Sequence, residues 1–171
     1  TYNGEELTKE VKTVTVEGLN VTYEVTGNTG TNAGDYTMTL SGTENFTGTT
    51  TASWSIAQKS IQGATVSLGD KLIYSGEDQT QNIASVAVSG VTGEVTYKVT
   101  GNTGKDATDY TMTLTGTGNF TGETTMDWSI AKKDVTIQGV AVEASRVYDG
   151  TAVATITNEG TLSDNFDGEN L

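Results

Sequence analysis

Residues 23–57 read YEVTGNTGTNAGDYTMTLSGTENFTGTTTASWSIA, and residues 97–131 read YKVTGNTGKDATDYTMTLTGTGNFTGETTMDWSIA. Aligned without gaps at an offset of 74, the two stretches differ at nine of 35 positions. A match that close is a duplication. Inside each copy the period is two: in Tyr36-Thr37-Met38-Thr39-Leu40 apolar residues alternate with Thr, and Tyr110 to Leu114 repeats the pattern. Such alternation gives each strand one core face and one solvated face, which is the habit of antiparallel sheets. Leu19, Val21, Tyr23 and Val25 alternate in the same way, as do Trp54 with Ile56 and Trp128 with Ile130.

Working outward, Tyr2-Asn3-Gly4-Glu5 pairs with Tyr74-Ser75-Gly76-Glu77, and a third start follows at Tyr148-Asp149-Gly150-Thr151. Similar lead-ins, IQGATVSLGDKLIY and VTIQGVAVEASRVY, precede the last two of these Tyr residues. The repeats are therefore placed at 1–58, lacking its lead-in strand, at 59–132, complete, and at 133–171, the start of a third. Gly-Asn, Thr-Gly and Glu-Asn-Phe-Thr-Gly between the strands are turn sequences. No stretch carries helical periodicity with a cap and a Gly stop, so essentially no helix is expected.

Short strands at this spacing predict an all-β chain of tandem small antiparallel β-sandwich modules, immunoglobulin-like in style. Tyr36 and Tyr110 sit two residues before an inward position, filled by Met38 and Met112, as at the corner of such a sandwich. The closing Trp54 and Trp128 come after that strand and not before it, which leaves a β-grasp-like sheet as the alternative.

Composition narrows the chemistry. The 171 residues carry 22 acids against 9 bases, a net charge of −13, with no Cys, His or Pro. Such a surface repels phosphate backbones and anionic headgroups, so nucleic acid and membrane surfaces are poor partners. The commonest general base and the thiolate metal ligand are both missing. No apolar run approaches a membrane span. About a fifth of the residues are Thr, which suits strands with one wet face. The opening at Thr1 reads as a segment from within a longer chain.

The Tyr-x-Gly openings, the AGDYTMTL strand, the NFTG turns, the WSIA endings and RVYDGT resemble the tandem YDG and MBG-type repeats of large bacterial surface proteins. The resemblance implies a stalk or spacer array in a wall-attached or secreted, adhesin-like protein. It supplies no catalytic residues. Ala107-Thr108, where the first copy has Ala33-Gly34, departs from the pattern.

The expected function is thus a non-catalytic spacer at the outside of a bacterial cell, monomeric, with neighbouring repeats as its partners and no cofactor. The alternative is a module binding a glycan or host protein through exposed loops, with Phe46 and Phe120 as the candidate contacts. Asp164, Asp167 and Glu169 form the densest oxygen cluster and are the candidate calcium ligands, although Phe166 falls where a ligand would be needed. Glu5-Glu6 and Glu77-Asp78 read as solvated turn acids. Lys71 is the best placed lysine for an isopeptide crosslink, and Trp54 and Trp128 read as core. Asn20, Asn45 and Asn119 each open an Asn-x-Thr triplet that reads as composition in a Thr-rich chain.

Overall fold

The computed structural model describes residues 1–163, and among them it is all-β without a helix. In the first repeat Tyr23–Thr26, Gly34–Gly42 and Thr49–Ile56 form an antiparallel three-stranded sheet in that order. The second repeat copies it with Tyr97–Thr100, Asp109–Gly116 and Glu123–Ala131, then adds Leu72–Ile73 on the far side of the closing strand.

That added pairing is parallel, as is the one between Lys59–Ser60 and Phe120–Thr121. The expectation of antiparallel sheets therefore holds for the long strands, while two short lead-in segments run the other way. The reason is connectivity: the chain enters the repeat alongside a strand that it reaches only after more than fifty residues. A parallel pair needs such a crossover, whereas a hairpin cannot make one.

The second layer is the antiparallel pair Thr65–Leu68 with Ile83–Ala87, whose register shifts between Ile83 and Ser85. Its Val66, Leu68, Ile83 and Val86 pack on a core of Ile61, Val95, Met112, Leu114, Phe120, Trp128 and Ile130. Met112 and Leu114 have no exposed surface, and the intervening Thr residues stay at the wet side. The period of two thus becomes a filled layer. In the first repeat Met38, Leu40 and Ile56 occupy the same places and are buried too.

The nine differences between the copies follow that division. In the first repeat eight of the nine positions are exposed, and Ser41 alone is half-buried. Glu24/Lys98, Thr31/Lys105 and Thr49/Glu123 are exposed in both repeats. Ala52 is exposed, while Met126 leans onto the second repeat's core.

One rung of each sheet fixes the rest. Tyr36 lies opposite Trp54, and Tyr110 opposite Trp128. The rings stack at 4.6 Å and 4.5 Å between centroids. The indoles donate to the Gly27 and Gly101 carbonyls, both at 3.0 Å. The Tyr hydroxyls donate back four residues, to Asn32 O at 2.7 Å and Asp106 O at 2.9 Å. A stacked aromatic pair contributes about 0.5–1.5 kcal/mol beyond its buried area. Beside each Tyr ring a glycine is required by space alone, since a Cβ on Gly104 would lie 2.4 Å from Tyr110 Cζ.

The third repeat is described as two short pairings, Ile137–Gln138 with Thr161–Leu162 and Ala141–Val142 with Ile156–Asn158. Ile137, Val140, Val142, Val153 and Ile156 are all more than half exposed. Among the described residues this hairpin has no second layer over its apolar face.

Gly104→Ala is expected to push Tyr110 off Trp128 and to cost the second repeat about 1–3 kcal/mol, the usual penalty of overpacking. Urea unfolding monitored by Trp fluorescence checks this.

Candidate functional site at the repeat junction

The residues read as candidates for chemistry do not converge. Glu5, Glu6, Glu77 and Asp78 are exposed, and Lys71 is exposed, whereas an isopeptide lysine has to be enclosed. Among the described residues no three His, Cys, Asp or Glu side chains are grouped to hold a metal ion. Asp164, Asp167 and Glu169 lie outside the described residues. No helix among those residues is long and apolar enough to cross a membrane.

Phe46 and Phe120 part company. Both begin from the same turn: the Phe46 amide donates to Thr43 O and the Phe120 amide to Thr117 O. Phe120 is 1% exposed, covered by the paired segment Lys59–Ser60 and by Tyr2. It is packing, not a surface for a ligand. Phe46, with no such cover among the described residues, is half-buried.

What does converge is the contact between the first two repeats. The first repeat ends in a pole built of two loops. One is the Tyr-x-Gly turn: the Tyr2 amide donates to Ala57 O at 2.8 Å, tying the turn to the end of its own closing strand. Asn3 Oδ1 accepts the Glu5 amide at 3.0 Å, an Asx turn, and Gly4 takes a positive φ of +89°. The other loop is Asn32-Ala33, held by the Tyr36 hydroxyl.

The second repeat meets both. The Tyr2 and Phe120 rings meet in a T-shaped arrangement with 5.3 Å between centroids. The Thr92 amide donates to Asn3 O at 2.9 Å, and its hydroxyl donates to the same oxygen at 3.3 Å. Gly4 is pressed so close that a Cβ there would come within 2.0 Å of the Thr92 carbonyl oxygen. Asn119 is gripped through both ends of its amide. Its Oδ1 accepts the Ala33 amide at 2.8 Å, and its Nδ2 donates to Asn32 Oδ1 at 3.0 Å. Between the repeats, Gln58 Nε2 donates to Gly118 O at 2.7 Å and to Phe120 O at 3.3 Å.

The triplet opened by Asn119 reads as composition, and Thr92 carries no mark in the sequence. Their partners belong to the other repeat, so no local pattern shows them. The one available signal is that Asn-Phe-x-Gly recurs in order with the strand it follows. Compared with known protein families, curated proteins and solved structures, the chain matches none.

The third Tyr-x-Gly turn keeps the Asx geometry. The Thr151 amide and hydroxyl donate to Asp149 Oδ1 at 2.9 Å and 2.8 Å, and the Arg146 guanidinium bridges Asp149 Oδ2 to Thr151. The two bonds from Thr151 hold the Asp149 carboxyl below its ordinary value of 3.8. A carboxylate favoured in this way keeps its turn intact above the ordinary value and loses it as pH falls through the lowered one. In an NMR titration the Thr151 amide shift is expected to move with a midpoint below 3.8, and Asp149→Asn to abolish that movement.

Asn119→Ala is expected to free the Ala33 amide and weaken the junction by about 1–3 kcal/mol, the usual cost of an orphaned hydrogen-bonding group. Asn45→Ala, at the exposed counterpart, is expected to change neither. Hydrogen exchange at Ala33 separates the two.

Proposed function

We propose that the chain is a non-catalytic spacer, a run of interlocked modules that holds other parts of a bacterial cell-surface or secreted adhesin-like protein at a distance. The observation that carries this reading is the clasp between the first two repeats. Flexibly linked domains share few contacts, whereas here an aromatic contact, side-chain amide bonds and a glycine at van der Waals limit fix one repeat on the next. In an array each unit needs only its neighbours, so stability and stiffness accumulate along the chain.

The pattern of drift supports the same reading. The buried pairs Met38/Met112, Leu40/Leu114 and Ile56/Ile130 are identical between copies, while exposed positions change even in charge, Glu24 against Lys98 and Thr49 against Glu123. A binding face copied with the module would hold its exposed residues constant. The net charge of −13 gives an extended protein the self-repulsion that keeps it soluble. The location outside a bacterial cell rests on the resemblance to surface-protein repeats.

Small-angle scattering of the 1–171 chain is expected to give the profile of a stiff two-repeat rod, and Gly4→Ala to broaden it. An alanine there meets both the Thr92 carbonyl and a backbone angle costing a non-glycine residue about 1–3 kcal/mol. Antibody against the chain is expected to label intact source cells, and labelling only after lysis defeats the assignment of place. Saturable capture of a glycan, lost on Phe46→Ala, would make the chain a binding module instead.

A further inference from the structure

The second repeat carries an edge strand for which the first repeat keeps the matching acceptor. Lys59–Ser60 runs parallel to Phe120–Thr121. The Lys59 amide donates to Asn119 O at 3.0 Å and the Ile61 amide to Thr121 O at 2.9 Å. The chain then turns, the Ala64 amide donating to Ile61 O, and Thr65–Leu68 pairs antiparallel with Ile83–Ala87. Ile61 has no exposed surface and shares one core with Val95, Leu114 and Phe120.

In the first repeat the turn is closed alike: the Gly42 amide donates to Gly48 O at 2.9 Å, as the Gly116 amide does to Gly122 O. Residues 11–15 take the place of 83–87, since the Lys9 amide donates to Asn28 O as the Gln81 amide does to Asn102 O. Among the described residues no strand pairs with Phe46-Thr47, and the Asn45 and Thr47 carbonyls accept no hydrogen bond. A Cβ on Gly122 would lie 2.9 Å from Ser60 Oγ, while one on Gly48 would meet nothing within 4 Å. Burial follows. Val21 and Phe46 are half-buried where Val95 and Phe120 are closed off, and Val16 and Leu19 are more than half exposed where Val88 and Val91 pack on the core. The result is an apolar groove lined by Val14, Val16, Val21, Tyr23 and Leu40.

We infer that this edge and groove are a receptor for an extended partner segment with the chemistry of residues 59–68, Lys-Ser-Ile-Gln-Gly-Ala-Thr-Val-Ser-Leu. An unpaired edge is a template for another strand, in which main-chain bonds give affinity and a side-chain pocket gives selection. Amides two residues apart donate to Asn45 O and Thr47 O. The Ile side chain enters the groove beside Val21 and Leu40, the counterparts of Val95 and Leu114. Glycine makes the turn, as Gly63 does with a φ of +75°, and the Val and Leu that follow cover residues 11–15. The duplicate identifies the occupant, because the second repeat holds that segment on the same framework. This receptor is independent of the spacer reading, since it concerns what completes one repeat's core.

A synthetic peptide of residues 58–68, added to the isotope-labelled 171-residue chain and followed by NMR, tests it. The amide signals of Val21, Leu40 and Thr47 are expected to move saturably, while those of Val95, Leu114 and Thr121 stay. Ile61→Asp in the peptide is expected to weaken binding roughly tenfold or more, the value of one buried aliphatic side chain. Thr65→Lys, at an exposed place, is expected to leave it unchanged. A spin label at the peptide's N-terminus is expected to broaden Asn45, and one at its C-terminus Val11; the opposite pattern overturns the parallel register. No movement at about 1 mM peptide, the weak end of useful affinity, overturns the inference, as does equal binding by the Ile61→Asp peptide. Movement at Val95 and Leu114 overturns it too, because the peptide would then be exchanging with the chain's own strand. Movement of Val21 and Thr47 with chain concentration alone makes a second copy the occupant, through its exposed Ile137 and Val142, and overturns the choice of partner.

Discussion

Trp128 lies flat on Tyr110 because the two sit opposite each other on one rung of an antiparallel sheet, and much of the molecule follows from that rung. The stack uses one face of Tyr110, and Gly104 leaves room at its edge, so the hydroxyl is aimed at a carbonyl four residues back. That bond sets the loop entering the strand. In the first repeat the loop set in this way presents Asn32 and Ala33, the two groups that grip Asn119. A core contact thereby decides the geometry of an external one.

This coupling explains how a junction made of weak pieces can be specific. Each neutral hydrogen bond contributes about 0.5–1.5 kcal/mol net, and none would hold two free domains together. They act because the groups are already in place when the chain brings the repeats together, so little ordering entropy remains to be lost. Phe120 belongs to both systems at once. It closes the second repeat's core and meets the Tyr2 ring of the first. Loosening the junction therefore exposes core, and the two repeats resist separation more than their linker alone would suggest.

Much of the architecture was legible in residues 23–57 and 97–131. Alternation at Tyr36 to Leu40 and at Tyr110 to Leu114 gave strands with the correct inward residues, and Met38, Leu40, Met112 and Leu114 are all buried. The parity of Trp with Ile placed Trp128 inside, whereas Trp54, read as core by the same parity, is only half-buried. The spacing placed each Tyr two residues before a buried Met, but not its hydroxyl bond to the carbonyl four residues back. The parallel lead-ins were not, because direction depends on which strand a segment meets and not on its own pattern. That Phe120 is buried and no candidate contact was hidden for a similar reason: the turn is local, but the segment that covers it arrives from Lys59 and Ser60.

By itself, then, the sequence determined what repeats and which face of each strand is apolar, since duplication and side-chain parity are properties of the chain. Tertiary structure decided what the poles of the modules do. Asn119, Thr92 and Gly4 gain their roles only where two repeats touch, through bonds between residues that lie 86 to 89 positions apart. Interactions at that separation leave no period in the chain to read.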